Sequence, residues 1–142
     1  MRFRDFLNRS DSVRGLENDI KKIRARLWQK YSGSALEAYV ASHSVRKLHL
    51  GSGPIGLPGW FNTDLSPQTD SVVYLDARKP FVIDDETFDY VFSEHMIEHI
   101  SRSAGLFMLR ECWRVLKPGG TIRVATPDLA VVLGLYSDSR GR

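Results

Sequence analysis

The chain of 142 residues has the length of one domain, and its 42% hydrophobic and 26% charged content is ordinary for a globular protein. It contains no apolar run near the roughly 20 residues that span a bilayer, and its N-terminus lacks the apolar core of a signal peptide. A single cysteine, Cys112, excludes an internal disulfide, and we expect it on a buried helix face. These features predict a cytoplasmic protein with no membrane partner.

The net charge of +3 is unevenly distributed along the chain. Residues 1–47 carry 11 Lys/Arg against 5 Asp/Glu, and residues 48–142 carry 9 against 12. A basic segment beside an acidic domain is able to steer a nucleic acid or another anion. Because no stripe of aromatic and basic residues accompanies it, we favour a solvated helix face and do not expect a nucleic-acid partner.

Two helices are predicted before the first strand. Five apolar residues recur at spacings of three and four, which is typical of one face of a helix over two heptads: Val13, Leu16, Ile20, Ile23 and Leu27. Ser10 or Ser12 is suited to cap this helix, and a second helix is predicted from Ser34 to Ala41. We expect residues 1–45 to be a basic helical segment that packs on the sheet or across its pocket, with a homodimer contact as the alternative.

The first strand, Val45–Leu50, is ended abruptly by two glycines. Gly51 and Gly53 lack the Cβ atom that hinders close approach of a ligand to the backbone, and they tolerate positive φ. Asp64 follows a second strand-like run, Trp60–Thr63, where its carboxylate is able to accept both hydroxyls of a ribose. This layout predicts a nucleoside pocket at the carboxyl edge of a parallel sheet. A glycine turn without a ligand is the alternative.

Residues 51–56 also match the dinucleotide pattern G-x-G-x-x-G, which is weak evidence alone. That pattern needs a helix N-terminus for the pyrophosphate and an acidic residue about 20 residues further on. Here Asp64 comes 13 residues after Gly51, and Pro54 and Pro58 oppose a full helix between them. A ligand with a ribose but no phosphate, such as S-adenosylmethionine (SAM), therefore fits better than NAD.

Strands and helical segments alternate in the rest of the chain. Strands are predicted over Ser71–Asp76, Phe88–Ser93 and Thr121–Thr126, and helical segments over Glu94–Ile100, Ala104–Leu116 and Leu129–Tyr136. The longest helix is expected to present one apolar face and to end at the stop signal Lys117–Gly120: Leu106, Leu109, Trp113 and Leu116 form that face. The alternation predicts an α/β domain over residues 46–142, with a Rossmann-like, mainly parallel sheet of about five strands and flanking helices.

Five motifs, in this order and spacing, resemble the class I SAM-dependent methyltransferases, and above all a small branch in which the first two strands are closely connected. The motifs are Leu48–Pro54, Leu57–Asp64, Asp76–Phe81, Phe88–His99 and Leu116–Gly120, and together they cover about residues 46–129. The resemblance implies an enzyme that moves a methyl group from SAM to an acceptor and leaves S-adenosylhomocysteine (SAH).

The resemblance also implies which residues bind SAM. The set is Leu50, Gly51, Ser52, Gly53, Asp64, Leu65, Asp76, Ala77, Ser93, Glu94 and His95. In the family the glycine turn meets the methionine end of SAM and Asp64 holds the ribose. Asp76 and the Ala77 amide recognise adenine, and the segment that begins at Ser93 lines the route to the methyl group.

His95 is the candidate general base, because an imidazole titrates near neutral pH and the residue should lie at the carboxyl edge of a strand. A packing or backbone-bonding role is the alternative. The pair Glu98-His99 resembles a recurrent structural cap of the family. Although Glu94 and His95 form i, i+4 pairs with this cap, no third element joins them and no metal is predicted.

The chain departs from the family at three points. His49 stands where many relatives have an acidic residue, and Ile55 replaces the usual third glycine. The family sheet normally has seven strands, so the resemblance implies that its last two strands are missing. We therefore keep a non-catalytic SAM-binding or scaffold domain, a fragment of a larger methyltransferase, as an alternative, with an NAD-dependent oxidoreductase less favoured. The acceptor stays open; a small molecule or a sugar is expected.

Overall fold

The computed structural model describes residues 32–138, with side chains described as far as residue 136. The predicted helix that carries the stripe Val13–Leu27 lies outside these residues. The helices are α1 (residues 32–42), α2 (Arg102–Val115) and α3 (Leu129–Asp138). The strands are β1 (Lys47–Leu50), β2 (Phe61–Asp64), β3 (Val72–Tyr74), β4 (Phe88–Glu94) and β5 (Leu116–Ala125).

The five strands of the described region form one sheet in the order β3-β2-β1-β4-β5, and every pair is parallel. This is the order of a Rossmann-like fold, as the sequence predicts. The chain leaves β1 toward β2 on one side and returns to β4 on the other. A crevice therefore opens beyond the carboxyl end of β1, between the two departing connections.

The hydrophobic core lies between β1 and β4 of the sheet and the helices α1 and α2. Leu48, Leu50 and Phe88 are fully buried there, and Tyr39 brings α1 into the same cluster. The Tyr39 hydroxyl accepts a hydrogen bond from the Lys47 amide at 2.9 Å, which fixes α1 to the start of β1. The described helix of the N-terminal segment thus packs on the sheet.

The connection between β1 and β2 contains no helix, although a right-handed crossover of parallel strands normally does. Instead, the side chain of Asn62 in β2 anchors this connection through hydrogen bonds to its backbone. Its Oδ1 accepts from the Leu57 amide at 2.8 Å, and its Nδ2 donates to the carbonyls of Leu57 at 3.0 Å and Trp60 at 3.1 Å. Gly56 passes so close that a Cβ there would lie 2.8 Å from the Asn62 amide nitrogen. One buried amide therefore holds the second half of the connection against the sheet.

The connection between β3 and β4 is held by two charged residues of α2. Glu111 accepts from the Phe81 amide at 2.7 Å, and Arg114 donates to the Phe81 and Ile83 carbonyls at 3.1 and 2.8 Å. Arg114 also bonds Glu111 at 2.7 Å, so the carboxylate and guanidinium neutralise each other while they satisfy the loop. This anchoring fixes the middle of the connection between β3 and β4 to α2.

The prediction of which residues form the buried face of α2 is wrong. Leu106, Leu109 and Trp113 are exposed, and Trp113 retains 82% of its accessible surface. The buried positions lie one residue earlier in each turn and are Gly105, Met108, Cys112 and Val115. Both stripes have helical spacing, and the small side chains at Gly105 and Cys112 allow the second one to lie close to the sheet. Cys112 is buried as expected, and burial raises the pKa of its thiol to about 12.

Two predicted boundaries also differ from the structure. The segment Glu94–Ile100 is not the start of an α-helix, because β4 continues through Glu94 and only one 3-10 turn, Ile97–His99, follows. Helix α2 begins after Ser101, whose hydroxyl accepts from the Ala104 amide. The stop signal Lys117–Gly120 does end the helix, but these residues already belong to β5.

No helix within residues 32–138 is long and apolar enough to cross a membrane.

The buried face of α2 is testable with two substitutions on the same helix. Met108→Ala should lower the free energy of unfolding by about 2–5 kcal/mol, because it removes buried methylene groups and leaves a cavity. Leu106→Ala, on the exposed stripe, should change it by less than about 0.5 kcal/mol. Urea unfolding followed by circular dichroism measures both values. Equal losses would show that α2 packs through the stripe that contains Leu106.

Candidate functional site

A cleft of about 180 Å³ lies at the carboxyl ends of β1, β2 and β3. Five residues from the predicted binding set line it: Gly51, Asp64, Leu65, Asp76 and Ala77. They come from three different strand ends. The parallel order of the sheet brings them together because all three strands end at the same edge.

The glycine turn after β1 folds back on the tip of β2. Gly51 and Gly53 both have left-handed backbones, with φ of +69° and +58°. The Ser52 amide donates to the Thr63 carbonyl at 3.0 Å, and the Gly53 amide donates to Asp64 Oδ2 at 3.0 Å. The turn is therefore closed by backbone bonds and by the carboxylate on the neighbouring strand.

The Asp64 carboxylate sits at the centre of this corner. Its Oδ1 accepts from the Ser66 amide at 2.7 Å and its Oδ2 accepts from Gly53. Because a carboxylate offers about four acceptor positions, acceptor capacity remains for a ligand. The Leu75 amide bonds the Asp64 carbonyl at 3.0 Å and thereby ties the end of β3 to this corner.

Asp76 is the second carboxylate of the cleft, and it is buried. The guanidinium of Arg78 spans it, with Nε 2.8 Å from Oδ1 and Nη2 3.1 Å from Oδ2, and the Arg78 amide lies 3.1 Å from Oδ1. Lys79 Nζ lies 3.5 Å from Oδ2. Burial alone would raise the pKa of Asp76, but the bonds and charge of Arg78, with the charge of Lys79, outweigh it and hold the pKa below its ordinary value.

The other predicted residues do not line this cleft. Leu50 and Ser52 are buried beside the turn. Ser93 is almost completely buried, and its hydroxyl has no hydrogen-bond partner among the residues that the structure describes. Glu94 is exposed at the end of β4. Gly53 belongs to the glycine turn but is not among the residues that line the cleft.

His95 follows directly and has an unusual backbone. Its φ is +50°, a region that L-residues seldom adopt, and its amide donates to the Ala125 carbonyl at 3.0 Å. The imidazole is exposed, and its Nδ1 lies 3.4 Å from a carboxylate oxygen of Glu98. Strained backbone of this kind concentrates at functional sites.

Sequence reasoning missed half of the cleft lining: Leu75, Arg78, Met96, His99 and Ile100. Three of them follow β4, and only the pairing of β4 with β1 places this segment over the glycine turn. His99, interpreted above as part of a structural cap, faces the cleft, and its amide donates to the Met96 carbonyl at 3.0 Å. Met96 contacts Gly51 closely: a Cβ on Gly51 would lie 2.6 Å from Met96 Cγ.

His49, the residue that replaces an acidic one, lies beside the cleft in β1. It is 6% exposed, its Nδ1 lies 3.1 Å from Asn62 Oδ1, and its ring stacks on Phe92 with centroids 5.2 Å apart. Since Asn62 Oδ1 is an acceptor, Nδ1 carries the proton. Burial holds the pKa of His49 below its ordinary value, although the Asn62 bond opposes the shift.

Within residues 32–138, no group of three or more His, Cys, Asp or Glu side chains is arranged to hold a metal ion.

The methyltransferase domain family matches residues 61–124, which span β2 to β5 and include both cleft carboxylates. This match confirms the resemblance to methyltransferases over these residues. A comparison with curated proteins finds no match.

Solved structures share the methyltransferase-like fold. The PH0226 protein of Pyrococcus horikoshii OT3 is 22% identical over 82% of this chain and 63% of that chain, with a TM-score of 0.55. Phosphoethanolamine N-methyltransferase 2 of Haemonchus contortus, solved with phosphomonomethylethanolamine and SAH, is 25% identical over 68% of this chain and 29% of that chain, with a TM-score of 0.48. The chain thus spans less than two thirds of either protein.

The contact between Gly51 and Met96 predicts different costs for two glycines. Gly51→Ala and Gly53→Ala should each lose about 1–2 kcal/mol of stability from the left-handed backbone. Only the first also meets Met96, because the space around Gly53 is open. Urea unfolding should therefore show the larger loss for Gly51→Ala, and adding Met96→Ala should recover part of the difference. Equal losses without such recovery would contradict the contact.

The buried imidazole of His49 predicts a pH dependence of stability. Its pKa lies below 6.5 in the folded chain and near 6.5 in the unfolded chain, so the unfolded chain takes up the proton first as the pH falls. The free energy of unfolding should decline from pH 6.5 down toward the folded pKa. His49→Gln, which keeps a donor for Asn62, should flatten this decline in urea titrations between pH 7.5 and 5.5. An unchanged slope in this variant would contradict the assignment.

Proposed function

We propose that this chain binds SAM and moves its methyl group to an acceptor, leaving SAH. The observation that carries the proposal is the convergence of Gly51, Asp64 and Asp76 from three strand ends in one cleft. The family match, which spans both carboxylates, supports it. Within the proposal, residues 46–142 are the SAM-binding domain and residues 1–45 a segment that packs on it or joins two copies.

The cleft fits the chemistry of SAM better than that of a dinucleotide. Asp64 keeps acceptor positions for the two ribose hydroxyls, and Asp76 offers an acceptor for an amino group. The turn gives a ligand access to the backbone at Gly53, where the space that a Cβ would take is open, whereas Met96 covers Gly51. No helix begins between Gly51 and Trp60, so a pyrophosphate would find no helix N-terminus there.

When bound, SAM supplies a methyl group on a positively charged sulfur that is already activated toward a nucleophile. The protein then has to orient the acceptor and exclude water. Met96 and Ile100 bring apolar side chains over the glycine turn and reduce access of water from that side. His95 Nε2 is the atom that we propose takes a proton from an oxygen acceptor, with Glu98 orienting the ring through Nδ1.

The acceptor class is part of the proposal. A small molecule or a sugar is the expected acceptor. Within the proposal, the exposed side chains of Glu94, which ends β4, and of His95, which follows it, line the route of the acceptor. Turnover on such an acceptor would separate an enzyme from a domain that only binds SAM.

Calorimetric titration of the purified chain with SAH, and with NAD as the control, tests the ligand. Micromolar binding of SAH without binding of NAD is expected. Binding of NAD alone would favour an oxidoreductase, and binding of neither ligand by a folded chain would contradict the proposal.

Asp64→Asn should weaken SAH binding about 10–100-fold, because one or two hydrogen bonds to a charged group are worth about 1.5–3 kcal/mol each. Asp70→Asn is the matched control, since it removes the same charge from an exposed position outside the cleft. Calorimetry measures both, and circular dichroism verifies the fold of each variant. Equal affinities for the two variants would refute the role of Asp64.

A further inference from the structure

Arg78 holds the Asp76 carboxylate in an arrangement with a specific vacancy for a hydrogen-bond donor. A carboxylate has about four acceptor positions. Arg78 fills three of them, with its amide and Nε on Oδ1 and its Nη2 on Oδ2. Among residues 32–138, the only other group paired with this carboxylate is Lys79, whose Nζ lies 3.5 Å from Oδ2. That distance is longer than the usual hydrogen-bond range of about 2.7–3.2 Å.

Asp76 and Arg78 differ in how far their side chains are buried. The side chain of Asp76 is 6% exposed, whereas that of Arg78 is 50% exposed and lines the cleft beside Ala77. Two parallel bonds from a planar guanidinium fix the plane of a carboxylate, which a single ammonium does not do. The orientation of Asp76 therefore depends on Arg78, and the remaining acceptor position is on Oδ2.

We propose that Arg78 is a positioning residue that makes the cleft select a purine with a 6-amino group over one with a 6-oxo group. The inference rests on the proposed function, in which the adenine of SAM lies against Asp76. An amino group donates to the free position on Oδ2. A 6-oxo group at the same place presents an acceptor to the carboxylate oxygen, and the hydrogen of such a purine is on N1 and not at the 6-position.

The test compares the affinities of SAH and S-inosylhomocysteine, in which a 6-oxo group replaces the 6-amino group of the purine and N1 carries a hydrogen. The unmodified chain should prefer SAH by at least about tenfold, the equivalent of one charge-assisted hydrogen bond. Arg78→Met keeps the aliphatic stem but not the guanidinium. It should weaken SAH binding about tenfold and leave S-inosylhomocysteine binding within about twofold, so that the preference is lost.

Arg78→Lys keeps the charge without the paired bonds, and it should lose most of the preference as well. Lys79→Met removes the more distant cation and is the matched control, which should keep the full preference. An affinity loss shared equally by both ligands would indicate a structural role for Arg78 and overturn the proposal. So would a preference that survives in both Arg78 variants, or one that Lys79→Met also removes.

The same titrations separate this inference from the proposed function. If the unmodified chain binds neither ligand, the SAM site itself fails and the inference fails with it. If it binds SAH and the Arg78 variants keep the preference, only the role of Arg78 fails. Thermal unfolding of each variant verifies that the cleft is folded.

Discussion

The side-chain amide of Asn62 is the constraint on which the cleft depends. Its Nδ2 donates to the carbonyls of Leu57 and Trp60, and its Oδ1 accepts from the Leu57 amide and from His49. All of its hydrogen-bonding positions are used, which is what a buried amide requires. With the connection fixed in this way, β2 pairs with β1 without a helix between them. Asp64, two residues further along β2, then reaches the glycine turn.

Polar side chains hold two of the connections between the strands, those between β1 and β2 and between β3 and β4. Asn62 anchors the first connection, and Glu111 and Arg114 of α2 anchor the one before β4. Between them, the bond from the Leu75 amide to the Asp64 carbonyl joins two strand ends. Each anchor satisfies backbone groups that a loop would otherwise leave without partners. The result is a site on short loops with a defined geometry.

The sequence was sufficient to predict the sheet, the cleft edge and both carboxylates. Residues at the carboxyl ends of parallel strands meet at one edge of the sheet. Glycines and acidic residues at the strand ends can therefore be assigned to this edge without knowledge of the packing. The buried face of α2 was not predictable in this way, because two stripes with helical spacing lie one residue apart. The stripe with Gly105 and Cys112 is buried because its small side chains permit close packing, and spacing alone does not contain that information.

Arg78 and Met96 escaped prediction for a related reason. The side chain of Arg78 is long, and its direction is decided by the tight turn that brings its amide to Asp76. Met96 reaches Gly51 only because β4 lies next to β1 in the sheet, far from it in sequence. Long side chains and contacts across the sheet depend on the assembled fold. Local sequence patterns predict the backbone at each strand end, but they do not predict which side chains from other segments pack over it.

The short connection between β1 and β2 has a consequence for the order in which the site assembles. Gly51, Asn62 and Asp64 lie within residues 47–64, so their mutual contacts close only a small loop. The entropy lost on closing a loop grows with its length, by about 0.6 kcal/mol for each doubling. Contacts of low sequence separation are also those that form quickly. The corner formed by the glycine turn and Asp64 is thus the most local part of the cleft, whereas the contact of Met96 with Gly51 forms only after β4 joins the sheet.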